Sequence, residues 1–249
     1  MRAIGSKGSG IAVKAQALRP RDAATLIIVD RSSGEPRVLM GRRRLDQVFM
    51  PGKYVFPGGG VDASDRLITS ADELRPVEEA KLLLDMKGAP SRARARALAA
   101  AAIRETFEEA GLLIGVPAPR PVPAADNTWG AFFAAGFWPK LSVLTFVARA
   151  ITPPGRPRRY DTRFFTVEAG AIARRVEACD GELSGLHWLT IEEARALDLP
   201  PITRVILDDL AAHLKAGGPS SGAPVPYYYA KHGTRRRELL TVPATTGAT

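Results

Sequence analysis

Cysteine is almost missing from this chain of 249 residues: Cys179 stands alone. A single thiol cannot build an intramolecular disulfide framework, and it fits a reducing compartment. It precedes an acidic loop and has no paired histidine, which argues against a catalytic thiol. Histidine is scarce too. His187, His213 and His232 are isolated and no two have metal-ligand spacing, so a structural role is expected for each. No run of eighteen apolar residues occurs, and the N-terminus has no signal-peptide apolar region. The expectation is a cytoplasmic protein with no membrane contact. Acidic residues are outnumbered, 26 Asp+Glu against 35 Lys+Arg, for a formal net charge of +9. That excess favours polyanionic partners, although arginines spread along a chain can equally be a composition bias. Nucleic-acid binding is not expected. It would need clustered basic residues with interleaved aromatics, and Arg235-Arg236-Arg237 is too short. The apolar fraction of 45% is ordinary for a globular chain with one core.

What is present is a crowd of acids. Arg104-Glu105-Thr106-Phe107-Glu108-Glu109-Ala110-Gly111-Leu112 places three carboxylates within five residues of a strongly helical context. At about 100° per residue, Glu105, Glu108 and Glu109 fall within roughly a third of the helix circumference. Three ionised carboxylates on one face repel one another unless a cation neutralises them. Hard oxygen ligands of this kind suit Mg²⁺ or Mn²⁺. Gly111 then stops the helix, and the apolar run Leu112-Leu113-Ile114 follows.

Upstream lies Phe56-Pro57-Gly58-Gly59-Gly60-Val61-Asp62-Ala63-Ser64-Asp65. Three consecutive glycines let the backbone approach a ligand closely. A glycine loop feeding an acidic helix resembles the Nudix box, whose pattern is Gly, five residues, Glu, seven residues, then Arg-Glu-U-x-Glu-Glu-x-Gly-U, with U apolar. Gly59 matches the opening Gly, and Asp65 stands where the first Glu is usual. Arg104, Glu105, Glu108, Glu109, Gly111 and Leu112 match the rest. The spacer departs from the pattern: residues 66–103 make 38, so about 31 are inserted. Thr106 also takes an apolar place, and Phe107 is expected to supply the packing. Three further stretches are similar to coenzyme A-type Nudix pyrophosphatases, in particular to the branch with an insertion inside the box. They are the lead-in Val38–Arg44 and Phe49–Gly59, the run Pro157–Phe165, and Leu199–Arg204.

The resemblance implies an α/β fold, the Nudix α/β/α sandwich with a mixed sheet, here with an inserted helical segment in the box. It implies a Mg²⁺- or Mn²⁺-dependent pyrophosphatase of nucleoside diphosphate derivatives, with coenzyme A or an acyl-coenzyme A as the leading substrate. NTP, ADP-ribose and NADH hydrolysis stay open, as does a non-catalytic nucleotide-binding module. Glu105, Glu108 and Glu109 are the expected metal ligands, with the backbone of Gly58, Gly59 and Gly60 beside them. Arg104 is expected to orient the helix, by pairing with Glu108 at i+4 or with an acid of the loop. Glu182 is the candidate general base. Arg42, Arg44 and Arg163 are candidate phosphate contacts, since a guanidinium grips phosphate bidentately.

The remaining elements follow from pattern. Residues 1–20 read as a frayed terminus, 21–216 as the domain with a helical insert over about 66–92, and 217–249 as a linker and tail. Thr25–Asp30 and Val38–Met40 read as a hairpin, and Tyr54–Phe56 as a short strand. A helix is expected over Ala71–Met86, with Pro76 tolerated in its first turn. Ser91 is expected to cap the box helix, whose Ala99, Ile103 and Phe107 face the sheet. Trp129–Trp138 suggests a short helix beside the site. Leu141–Ala150 and Thr162–Val167 read as strands, Thr190–Glu193 as a capping box, and 203–215 as a final helix. Val225-Pro226-Tyr227-Tyr228-Tyr229 looks exposed. It calls for a partner, through a homodimer or by folding back on its own domain.

Overall fold

The computed structural model describes residues 18–46, 50–119, 128–178, 182–220 and 222–243. Among them, no helix is long and apolar enough to cross a membrane.

The main sheet is organised around β1 (Arg21–Asp30), which pairs in parallel with β8 (Tyr160–Glu168) from Arg21↔Tyr160 to Val29↔Glu168. Both faces of β1 are covered. Leu26 and Ile28 enter one core cluster while Ile27 and Val29 enter the other, as the two-residue period of a strand requires. Strand order is β10 (Leu183–Thr190), β2 (Arg37–Arg43), β1, β8, β7 (Thr145–Ile151), β11 (Val225–Lys231) and β12 (Thr234–Leu240). β1 and β2 pair antiparallel at Val29↔Val38 and then part. Into the opening run β3 (Tyr54–Val55), paired with β2, and β4 (Gly58–Gly60), paired with β1. The glycine segment is therefore a strand held in a wedge of the sheet. A smaller sheet has the order β6 (Phe137–Pro139), β5 (Leu112–Pro117), β9 (Ile172–Arg175).

Helices cover both faces. On one lie α1 (Pro76–Leu83), α2 (Arg92–Ala110) and α3 (Thr128–Ala134); on the other lie α4 (Ile191–Ala196) and α5 (Pro201–Lys215). α2 packs through Leu98, Ile103 and Phe107, all within 2% of full burial. Each such side chain contributes about 1.5–3 kcal/mol of transfer free energy. α5 buries Ile206, Leu207 and Leu210 against Ile27, Val29 and Phe164. The result is the expected α/β/α sandwich with a mixed sheet.

The insert packs into the molecule. Glu78 and Lys81 of α1 are fully buried and paired at 2.9 Å. They serve the backbone of β7 at one residue: Glu78 accepts from the Phe146 N–H at 2.8 Å, and Lys81 donates to the Phe146 carbonyl at 3.1 Å. The β7–β8 register shifts between Phe146 and Ala148, so this ion pair satisfies polar groups at an irregularity of the ladder. Burial lowers the Lys81 pKa, and Glu78 opposes that shift.

Three expectations change. The insert helix is shorter than Ala71–Met86. Arg75, just before Pro76, is extended (ψ 140°), and Asp72 instead accepts from the Leu141 and Ser142 N–H groups. β7 accordingly begins at Thr145 rather than Leu141, since Asp72 holds Leu141 and Ser142 in a turn. The segment read as a tail supplies two strands of the main sheet. β11 pairs with β7 at Tyr227↔Arg149 and Tyr228↔Ala150, and it pairs along its length with β12. Tyr227 is 3% exposed, with the Arg149 guanidinium 4.4 Å from its ring centre. The aromatic stretch thus folds back on its own domain. Residues 1–17 of the segment expected to be frayed, Phe49, Cys179 and residues 244–249 lie outside the described residues.

Candidate active site

α2 is built to bring acids to the wedge. Ser91 caps it, its side chain accepting from the Arg94 N–H, and Gly111 ends it in the left-handed region at φ 66°. Ala95 and the run Ala99–Ala102 are fully buried, and such small side chains let the helix lie close to the sheet. Thr106, in an apolar place, satisfies its own hydroxyl by donating to the Ala102 carbonyl at 2.8 Å.

At the next turn the helix meets β4. A Cβ placed on Gly59 would stand 2.5 Å from the Glu105 carboxylate, so a larger residue there would have to push that carboxylate aside. A Cβ on Gly58 would meet the Ala24 carbonyl at 2.5 Å. The Gly58 N–H donates to Glu109 Oε2 at 2.9 Å. The Gly60 carbonyl accepts from Arg104 Nη2 at 2.7 Å.

Arg104 joins these groups. Its Nη1 donates to Glu105 Oε1 at 3.0 Å and to Glu108 Oε2 at 2.9 Å, the i+4 contact. Its Nε and Nη2 grip Asp65 Oδ1 and Oδ2 at 2.8 and 3.1 Å, the loop contact. Both alternatives for Arg104 are realised at once. Asp65 is fully buried and takes two further donors, the Asp62 N–H at 2.7 Å and Trp129 Nε1 at 2.9 Å. Four donors occupy the lone-pair sites of one carboxylate, as burial of its charge demands. So Asp65 reaches Arg104 across a 38-residue spacer. Closing 38 residues instead of seven costs about 1.5 kcal/mol more in loop entropy.

Electrostatics follow from the crowding. Burial works against the Arg104 charge, but Asp65, Glu105 and Glu108 outweigh it and raise the pKa above the ordinary arginine value. Burial pushes the Glu105 carboxyl up to about 7; Arg104 pulls against that, while Glu108 and Asp65 add to it. Three acids, Asp65, Glu105 and Glu108, share the single Arg104 guanidinium and Glu109 adds a fourth carboxylate on the same helix, a donor set whose negative excess and hard oxygens fit a divalent cation. Among the described residues, however, no three His, Cys, Asp or Glu side chains converge as a coordination set. Arg104 draws Glu105 and Glu108 aside, and Gly58 draws Glu109. Glu105 and Glu108 keep 13% and 15% of their side chains exposed, and these are the carboxylates that reach solvent.

The remaining expected residues belong to other elements. Arg42 and Arg44, with Arg43, Leu45, Asp46 and Ser184, line an open cleft of about 390 Å³ at the β2–β10 edge. Arg42 donates to the Gly52 carbonyl at 3.1 Å, and Arg44 is engaged with Asp46. Glu182 sits at the start of β10, its carboxylate 3.3 Å from Arg43 Nη2. Arg163 does not fit the role expected of it. It is 1% exposed and pairs with Asp161 at 3.0 Å and Asp22 at 3.2 Å. Burial depresses its pKa. With acids from β1 and β8 around it and no path to solvent, it serves the sheet rather than a phosphate. Asp62 and Trp129 belong to the site and were not expected there. The aromatic stretch pointed to a helix nearby, but nothing in it named Asp65 as the acceptor.

No protein-family model matches the chain, and no curated protein does. Among solved structures, the chain is similar to a Nudix hydrolase from Alicyclobacillus acidocaldarius, with 27% identity and a TM-score of 0.58, over 82% of this chain and 99% of that one. The Nudix domain of Shewanella oneidensis NrtR, in complex with ADP ribose, is 10% identical at a TM-score of 0.46, over 79% of this chain and 90% of that one. An Ap4A hydrolase from C. elegans is 16% identical at 0.42, over 78% and 99%. Of these three, the second and third carry the fold alone.

Proposed function

We propose that this Nudix-fold pyrophosphatase is metal-dependent and cleaves the pyrophosphate link of coenzyme A or an acyl-coenzyme A. The products would be 3′,5′-adenosine bisphosphate and (acyl-)phosphopantetheine. The observation that carries the reaction class is the seating of Glu105 against Gly59, with Arg104 tying Glu105, Glu108 and Asp65 together. The substrate reading is supported by the lead-in to the box and by the arginine-lined cleft beside β2.

Glu105 and Glu108, with Glu109, would hold Mg²⁺ or Mn²⁺. When bound, such an ion neutralises phosphate charge and acidifies a water. The chain's own residues supply the rest. Arg104 sets the orientation of Glu105 and Glu108. The narrow backbone of Gly58 and Gly59 lets a diphosphate approach the helix. Arg42 and Arg44 offer guanidinium groups to a further phosphate. Glu182, paired with Arg43 of that cleft, would accept the proton of the attacking water.

Purified chain is incubated with Mg²⁺ and coenzyme A, acetyl-coenzyme A, ADP-ribose, NADH and nucleoside triphosphates, and products are read by mass spectrometry. Release of 3′,5′-adenosine bisphosphate at the highest kcat/KM of the panel supports the reading. Preference for ADP-ribose, NADH or a triphosphate overturns the substrate while keeping the reaction class. Tight binding with no turnover of any of them points to a sensing module.

A further inference from the structure

We infer that Trp129, which lies outside the box, is a positioning residue for the acidic helix, acting through Asp65 on Arg104. The inference rests on the pyrophosphatase reading for its kinetic consequence, but its geometry stands without it.

The chain of contacts is continuous and buried. Trp129 is 2% exposed and donates its indole N–H to Asp65 Oδ1 at 2.9 Å. That oxygen also accepts from Arg104 Nε at 2.8 Å, so both donors share one acceptor atom. Arg104 carries the constraint to Glu105 and Glu108 through Nη1. The tryptophan is itself fixed. Its ring meets Phe132 edge-on at 5.4 Å and stacks on Phe133 at 5.8 Å, and Phe132 meets Phe107 of α2 edge-on at 5.3 Å. α3 thereby holds the box helix at two points, an apolar one at Phe107 and a polar one at Asp65.

The long spacer gives this second anchor a purpose. Asp65 is separated from Arg104 by a connection that includes α1 and two loops, so the short local link of the Nudix pattern is lost. Asp is also one methylene shorter than the Glu of that pattern. A buried carboxylate on a long tether can settle in several rotamers unless its remaining lone pairs are claimed. The Asp62 N–H claims one from the loop, and Trp129 claims the other from a separate element.

The test replaces Trp129 by Phe, and separately by β-(benzothien-3-yl)alanine, which keeps the ring shape and removes only the N–H. Trp188→Phe is the control. The first readout is the Arg104 Nε–H resonance, assigned by its loss in Arg104→Lys. The second is Mn²⁺ affinity by electron paramagnetic resonance, and the third is kcat and KM with Mg²⁺. Loss of a hydrogen bond to a charged group predicts about tenfold faster exchange of the Arg104 Nε–H, and weaker Mn²⁺ binding, in both Trp129 variants but not in the control. Turnover is expected to fall by about tenfold in kcat with KM nearly unchanged. An Arg104 signal and a Mn²⁺ affinity equal to wild type in the benzothienyl variant would overturn the inference. So would a loss confined to melting temperature. If the wild-type chain turns over none of the nucleotides, the substrate reading fails, while the resonance and Mn²⁺ measurements still decide the role of Trp129.

Discussion

Gly59 and Glu105 occupy one another's space: a methyl group on the glycine would lie 2.5 Å from the carboxylate carbon. The strand therefore passes so close to the end of this side chain that any Cβ at Gly59 requires Glu105 to move. Gly59→Ala must displace Glu105, and a shift of about 1 Å in a reacting constellation costs roughly 100-fold. The expected result is a kcat lower by about that factor with a near-normal circular dichroism melt. Gly60→Ala, with open space around its Cβ, is expected to stay within about threefold of wild type.

Glu109→Gln separates fold from chemistry. The Gln carbonyl can still accept from the Gly58 N–H, so the β4–α2 contact survives. The negative charge does not. Steady-state assays with Mg²⁺ are expected to show a loss of about 100-fold or more, with the urea midpoint nearly unchanged. Turnover close to wild type would remove Glu109 from the metal-binding set.

Glu105 makes stability depend on pH. Its carboxyl is raised to about 7 in the fold, against about 4.5 when unfolded, so the folded state holds the extra proton between those values. Stability from this group is complete below about pH 4.5, falls as pH rises, and is gone above about pH 7. The total is at most about 3 kcal/mol. Urea unfolding in chelator from pH 4.5 to 8 should show this slope in wild type and not in Glu105→Gln. Millimolar Mn²⁺ should restore most of the loss at pH 8, because a ligand of the folded state shifts the equilibrium.

The Glu78–Lys81 pair tests what the insert does. Both groups are buried and both bond the Phe146 backbone; removing Glu78 strands the buried Lys81 ammonium, removing Lys81 leaves Glu78 with Arg75 alone at 3.3 Å, and either change orphans a polar group of Phe146. Glu78→Ala or Lys81→Met alone is expected to cost about 3–5 kcal/mol by urea denaturation. The double replacement is expected to cost less than the sum, since it leaves no lone charge. An insert acting merely as a mobile cover would show no such loss.

Local chemistry was readable from the chain and distant pairing was not. The Ser91 cap, the Gly111 stop and the Thr190–Glu193 capping box each depend on residues three or four positions apart, and each is found in the structure. Arg163 shares β8 with Asp161, two residues before it, but its second partner, Asp22, declares itself only once β1 lies beside β8, and the pair together bury the guanidinium. The strand at 225–231 was hidden for a similar reason. Pro226 looks unlike a strand residue, yet it sits outside the β7 ladder, which engages only Tyr227 and Tyr228. Asp65 matched its place in the motif, but its role depended on Trp129, 64 residues away.

Among the described residues β12 ends the main sheet, and it carries Arg235, Arg236 and Arg237 in sequence. Were two molecules to meet strand to strand along that margin, guanidinium would confront guanidinium before any ladder could form. The last strand thus works as a fence: it finishes the sheet and discourages its runaway extension into fibres.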